Sequence, residues 1–108
     1  MKAEYKKLWI EALRSGQYQQ GQCELRSADD SRCCLGVLCD VVDSSKWIYN
    51  ERHERYEWGD YSCTVPHEVC NVTGFDNESG SVYYRMNDDE RKSFAEIADY
   101  IEEFEPTE

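Results

Sequence analysis

Cys34 is the side chain best placed by sequence for nucleophilic chemistry. It falls near the start of the apolar run Ser31–Val42, and a thiol near the N-terminus of a helix has its pKa lowered by the helix dipole. His67 or His53 could serve as its base, with an aspartate orienting the imidazole. Against this, nothing flanking Cys34 supplies the glycine-rich turn or oxyanion donors that thiol enzymes use. Cys33, Cys34 and Cys39 read more simply as small buried hydrophobes. A thiol-dependent enzyme with Cys34 as nucleophile and His67 as base is therefore the alternative reading, and no catalytic residue is assigned.

Two other constellations bear on chemistry. Six cysteines and two histidines raise the question of zinc. No Cys-x₂-Cys pair exists, and neighbouring cysteines are adjacent or separated by four or more residues, so no metal or other cofactor is expected. Arg14, Ser15, Tyr18 and Gln20 follow one another closely, with Arg26 and Arg32 beyond. Guanidinium forks suit phosphate or carboxylate, and tyrosine stacks on a base. These six residues are the candidate binding set. The competing reading is that Arg14 and Gln20 brace a turn, as such residues often do. Carboxylate runs such as Asp88-Asp89-Glu90 and Glu102-Glu103 read as solvated faces. There is no phosphate-cradling glycine loop, His-Glu-x-x-His or nucleophile elbow.

The elements that would position these residues follow from periodicity. Cys34, Leu35, Leu38, Val41 and Val42 recur at spacings of three and four, which predicts a buried central helix. Asp30 or Ser31 is placed to cap it, and Gly36 inside it points to close approach of another element. Tyr5, Leu8, Trp9, Ala12 and Leu13 form an apolar stripe predicting a helix over residues 3–15, with Gly16 as its left-handed stop. A short strand or hairpin is expected within Gln17–Arg26. Strands are expected at Trp47–Tyr49, Tyr61–Val65 and Ser81–Met86, with a charged loop over Asn50–Glu57. Pro66 opens a short helix closed by Gly74. Ser93 and Glu96 have capping-box spacing before the stripe Phe94, Ile97, Ala98 and Ile101. The fold class predicted is α+β, three to four helices on a small antiparallel sheet with a central buried cysteine-rich helix. One domain spans 1–108, with 105–108 frayed.

Charge narrows the function classes. The net charge of −11 is uneven: residues 1–40 are balanced at six acidic and six basic side chains, whereas residues 87–108 hold nine acidic and two basic. Such a surface repels phosphate backbones, so direct DNA or RNA binding is not expected. A basic, nucleic-acid-handling protein partner fits better, although carboxylate excess also serves solubility. No apolar stretch approaches 18 residues, so no membrane span is expected. The amphipathic start lacks a signal region, which points to the cytoplasm and to reduced thiols. On that footing the glycosylation-type triplets at Asn71 and Asn77 are read as chance.

Three segments carry a resemblance. Leu8-Trp9-Ile10-Glu11-Ala12-Leu13-Arg14-Ser15-Gly16-Gln17-Tyr18-Gln19-Gln20, Cys33-Cys34-Leu35-Gly36-Val37-Leu38-Cys39-Asp40, and the ending Met86-Asn87-Asp88-Asp89 with Ser93–Glu102 resemble a family of small proteins encoded by bacteriophages and prophages. Val65-Pro66-His67-Glu68-Val69 is similar to that family's short middle helix, and Ser44–Ser62 is the variable part. The resemblance implies a bacterial host cytoplasm during infection and carries no catalytic residues. The functional expectation is a non-enzymatic binding protein that neutralises a host defence component. It would do so by holding a small anionic nucleotide at the Arg14/Tyr18/Arg32 cluster or by blocking a nucleic-acid-handling protein with its acidic C-terminal face. Homo-oligomerisation is compatible with either.

Overall fold

In the computed structural model, which describes residues 1–108, the cysteine-bearing run is the helix α2, Cys34–Asp43. Cys34 to Cys39 are all buried, because the run is apolar on every side and other elements pack all round it. α1, Ala3–Arg14, lies along one side and buries Trp9, Ile10 and Leu13. α3 (His67–Thr73), α4 (Gly80–Tyr84) and α5 (Phe94–Phe104) complete the helical layer. One apolar cluster of 21 buried residues includes side chains from all five helices, so they share a core. Trp9 stands within it, 5.2 Å from Tyr83 and 5.8 Å from Phe75 between ring centroids, and its indole N–H donates to the Cys34 carbonyl at 2.9 Å. No helix is long and apolar enough to cross a membrane.

A three-stranded antiparallel sheet of order β1-β3-β2 covers another side, from β1 (Arg26–Ser27), β2 (Trp47–Asn50) and β3 (Arg55–Trp58). Trp47 pairs with Trp58, Tyr49 with Tyr56, and Arg26 with Tyr56. Alternation then places these residues on one face of the sheet. The α+β class and the central cysteine helix are as the sequence predicts, with five α-helices.

Several local expectations are revised. Ser81–Met86 is not a strand. It is α4 running into a π-helical turn, Arg85–Asp89. The wider turn lets Met86 and Asn87, adjacent in sequence, both face the core. β3 takes up the last three residues of the expected loop, Arg55–Glu57, and ends one residue beyond it at Trp58. Gln17–Arg26 is irregular until Arg26 opens β1, apart from bridges that pair Gln20 and Arg26 with Arg32, and Tyr61–Val65 holds only the bridge from Tyr61 to Trp58. Residues 105–108, for which the sequence suggests fraying, are held instead. Lys6 Nζ donates to the Glu105 carbonyl at 2.7 Å and to Thr107 Oγ1 at 3.0 Å. Tyr83 Oη donates to Glu105 Oε1 at 2.7 Å, and the Glu108 N–H donates to the Met1 carbonyl at 2.9 Å.

The cap of α2 also differs from expectation. Asp30 has φ +72° and pairs with Arg26, and Ser31 Oγ donates to Asp29 at 2.7 Å. Neither caps the helix. The buried Asn87 does so from the π turn, 53 residues away: its Oδ1 accepts from the Cys34 N–H at 3.2 Å and from Gln20 Nε2 at 2.9 Å. Its Nδ2 donates to the Gly21 carbonyl at 2.8 Å. Asn87→Ala leaves the Cys34 N–H and the Gly21 carbonyl without these partners, while Gln20 Nε2 keeps its bond to the Lys92 carbonyl. At about 1–3 kcal/mol for an orphaned buried group, a loss of about 2–4 kcal/mol is expected, read as a lower urea midpoint at unchanged m. A midpoint equal to wild type would show that water replaces the amide.

Candidate functional site

The residues that sequence grouped for anion binding separate in three dimensions. Arg14 turns toward α5, where its Nη2 lies 2.7 Å from Asp99 Oδ1 and its Nη1 3.2 Å from Glu102 Oε2. Those two carboxylates hold its guanidinium pKa above the usual arginine value. Ser15 Oγ donates to the Ala12 carbonyl and accepts from Gln17 N–H, closing the turn after α1. Gln20 bonds to Asn87 and to the Lys92 carbonyl, bracing the chain as turn residues do.

Gln20 is bridged to Arg32 through the backbone alone, whereas the side chains of Tyr18, Arg26 and Arg32 share one neighbourhood, and there the positive charge is already matched. Arg26 Nη2 lies 2.7 Å from Asp30 Oδ1, and its guanidinium carbon stands 3.7 Å from the Tyr56 ring centroid. Arg32 is buried, with Nη1 3.3 Å from Asp30 Oδ1 and Nε 3.0 Å from Asp40 Oδ2. That Nε is not aligned for a hydrogen bond, so charge rather than direction holds the pair. Trp47 Nε1 donates to Asp40 Oδ1 at 2.5 Å. Tyr18 stacks near Arg32 at 5.2 Å, and its phenol pKa is raised, first by burial and then by the charge of Asp40. Two arginines and two aspartates thus tie the sheet to α2. The network is a structural brace with little net charge to offer an anion.

The thiol candidate is also placed in the interior. Cys34 is 0% exposed. Its Sγ contacts the Tyr83 carbonyl at 3.8 Å, while His67 lies exposed at the start of α3. Burial is the largest influence on the thiol and pushes its pKa well above the ordinary value; Cys39 behaves likewise, and Cys33 rises to about 12. Here desolvation outweighs the helix dipole. Iodoacetamide is expected to label native Cys23 and Cys63, which are exposed, and to reach Cys33, Cys34 and Cys39 only after denaturant is added. Fast labelling of native Cys34 would overturn this placement.

The surface with most unmatched chemistry is the outer face of α5. Its first turn is set by a reciprocal capping box: Ser93 Oγ accepts from Glu96 N–H at 3.2 Å, and Glu96 Oε1 accepts from Ser93 N–H at 3.0 Å. The Ser93 N–H donating to the ionised carboxylate, and next the Ser93 hydroxyl beside it, lower the Glu96 pKa. One and two turns on, Tyr100 and Phe104 stack at 4.9 Å, and Phe104 is left 60% exposed. A shallow hollow of about 300 Å³ beside this pair is lined by Lys92, Glu96, Asp99 and Glu103 as well as by the rings. A smaller one on the other flank, about 110 Å³, includes Tyr83, Glu105 and Pro106. Aromatic faces ringed by carboxylates attract ammonium and guanidinium groups. Glu96 and Glu103 are in no ion pair. The acidity of this face was legible in the sequence. The exposure of Phe104 was not, since its spacing from Ile97 and Ile101 would continue the buried stripe. The i, i+4 spacing of Tyr100 and Phe104 among five carboxylates was the available signal.

With the geometry in place, comparison with known proteins adds one finding. Residues 1–105 match the family model described as a domain of unknown function, DUF8296. No curated protein and no solved structure shows significant similarity to the chain.

Proposed function

The chain belongs to the DUF8296 family, and we propose that it is a non-enzymatic binding protein whose acidic α5 face covers a basic surface on a nucleic-acid-handling protein. In its finer form, the proposal is that the protein is made by a bacteriophage or prophage and neutralises a host defence component in the bacterial cytoplasm. The observation that carries the reading is the exposed Phe104 ring, stacked on the half-buried Tyr100 and set among carboxylates. An arginine or lysine gains both ring contact and charge pairing there, whereas a nucleic acid is repelled. The nucleotide-sequestering form of the reading has less support, because Arg14, Arg26 and Arg32 are each paired with carboxylates of this chain.

An octa-arginine peptide titrated into labelled protein tests the surface directly. Amide shifts confined to Glu96–Phe104 are expected, with Glu103→Lys and Phe104→Ala each weakening binding about tenfold or more. This corresponds to at least about 1.4 kcal/mol, within the range of a partly desolvated cation–π contact with an added charge pair. A partner retained from infected bacteria by wild type, lost to both variants and released by salt would extend the result to the cell. Equal retention by Glu103→Lys and Phe104→Ala would sink the proposal. A Cys34→Ser variant that loses biological activity while folding normally would favour the thiol enzyme instead.

A further inference from the structure

A second surface of opposite character lies on α1. Of the chain's 12 lysines and arginines, the three that begin α1 or precede it, Lys2, Lys6 and Lys7, are in none of the ion pairs, while Arg14, Arg26, Arg32, Arg55 and Arg85 are all matched to carboxylates. Five of the 12 are in no ion pair, and three of those five stand together here, Arg52 and Arg91 being the other two. A groove of about 440 Å³ opens there, between one face of α1 and the C-terminal segment. Lys6, Lys7 and Thr107 line it together with Ala3 and Ile10.

The groove is ordered before any ligand arrives. Lys6 Nζ spends two of its three N–H groups on the Glu105 carbonyl and Thr107 Oγ1, which fixes the ammonium and leaves one N–H free. Thr107 accepts that bond through oxygen, so its own O–H remains available to donate. Lys7 is exposed and adds a second charge. Ala3 and Ile10 supply an apolar wall. At the far end, Arg14 is held by Asp99 and Glu102, and Glu11 lies one helical turn beyond Lys7.

We infer that this groove is a binding site for a small phosphate monoester. The phosphate would sit between the Lys6 and Lys7 ammonium groups with the Thr107 hydroxyl donating to it. The organic body would lie on Ala3 and Ile10, with Glu11 able to accept from a hydroxyl on it. Two ammonium charges match a dianion better than a single carboxylate, which is the argument for phosphate. A volume of this order suits a small molecule rather than a macromolecule. The groove shares no lining residue with the hollow beside Phe104, although Glu102 of α5 stands at its far end.

Phenyl phosphate and inorganic phosphate, titrated separately into labelled protein at low salt, test the assignment. Saturable shifts at Lys6, Lys7, Ile10 and Thr107 are expected with both, and phenyl phosphate is expected to bind at least fivefold more tightly because its ring covers Ile10. Lys7→Gln should weaken both ligands about fivefold or more without changing the melting temperature, since Lys7 has no partner in the fold. Lys6→Gln should do the same while also loosening the C-terminal segment. Absence of saturation, or identical binding by Lys7→Gln, would overturn the site. Equal affinity for the two probes would overturn the place given to the organic body.

Discussion

Gly36→Ala, the addition of one methyl group, is expected to cost the protein a large fraction of its stability. A Cβ built at Gly36 falls 1.8 Å from the Leu25 carbonyl oxygen and 2.8 Å from the Leu25 carbonyl carbon. Both are backbone atoms, so no rotamer change relieves the clash. Leu25 is itself 0% exposed, and its N–H donates to the Ser62 carbonyl at 2.8 Å, so the segment cannot retreat without dragging its neighbours. Alanine improves helix propensity by about 1 kcal/mol. Overpacking typically costs about 1–3 kcal/mol and occasionally more, and a clash with backbone belongs at or beyond the upper end. A net loss of at least about 3 kcal/mol is expected against total stabilities of about 5–15 kcal/mol, equivalent to a fall in melting temperature of roughly 12 °C or more. Gly80→Ala is the internal control. It adds the same methyl in an ordinary helical conformation, with its nearest contacts at 3.6 and 3.8 Å. It should therefore be neutral or slightly stabilising. Equal melting temperatures for the two variants would show that α2 does not press against Leu25.

That close approach also explains how far the fold could be read from sequence. α1, α2, α3 and α5 were legible because their periodicity agrees with their boundaries. Gly16 and Gly74 take φ of +76° and +74° at two helix ends, and Ser93 forms the capping box its spacing implies. α4 was misread because Val82, Tyr83 and Tyr84 are strand-prone types in a short window. The preference is overridden where Tyr83 packs between Trp9, Phe75 and Tyr100 and donates to Glu105. β3 was hidden by its charges: Arg55 and Glu57 pair with each other at 3.0 Å on one sheet face, while Tyr56 and Trp58 make the aromatic face.

The candidate site was less legible, for a related reason. Closeness in sequence says nothing about direction after a turn. The chain reverses at Gly16, so Arg14 faces α5 while Tyr18 faces Arg32. Nor does sequence reveal which cations are already matched. Arg32 is neutralised by Asp30 and Asp40, and these partners become visible only once α2 and β1 are placed.

Leu38→Asp should leave no cooperatively folded protein at neutral pH. Leu38 is 0% exposed at the middle of α2, and losing its burial removes roughly 1.5–3 kcal/mol. The carboxylate that replaces it has no cation in reach of the kind that Arg32 gives Asp40 on the same helix. A buried unpaired carboxylate is either ionised at high cost or forced to hold a proton. Its pKa in the folded state is then raised above the unfolded value of about 3.9. The ionisation penalty is absent below that unfolded value and grows as pH rises, by about 1.4 kcal/mol per unit until the folded pKa is passed. The gap between variant and wild type, measured by circular dichroism and urea titration, should therefore be smallest near pH 4 and widest at pH 7. Leu38→Ala creates a cavity without a charge and should cost about 2–5 kcal/mol, with a gap that does not depend on pH. A soluble Leu38→Asp protein melting cooperatively at pH 7 would mean that α2 has a face open to water.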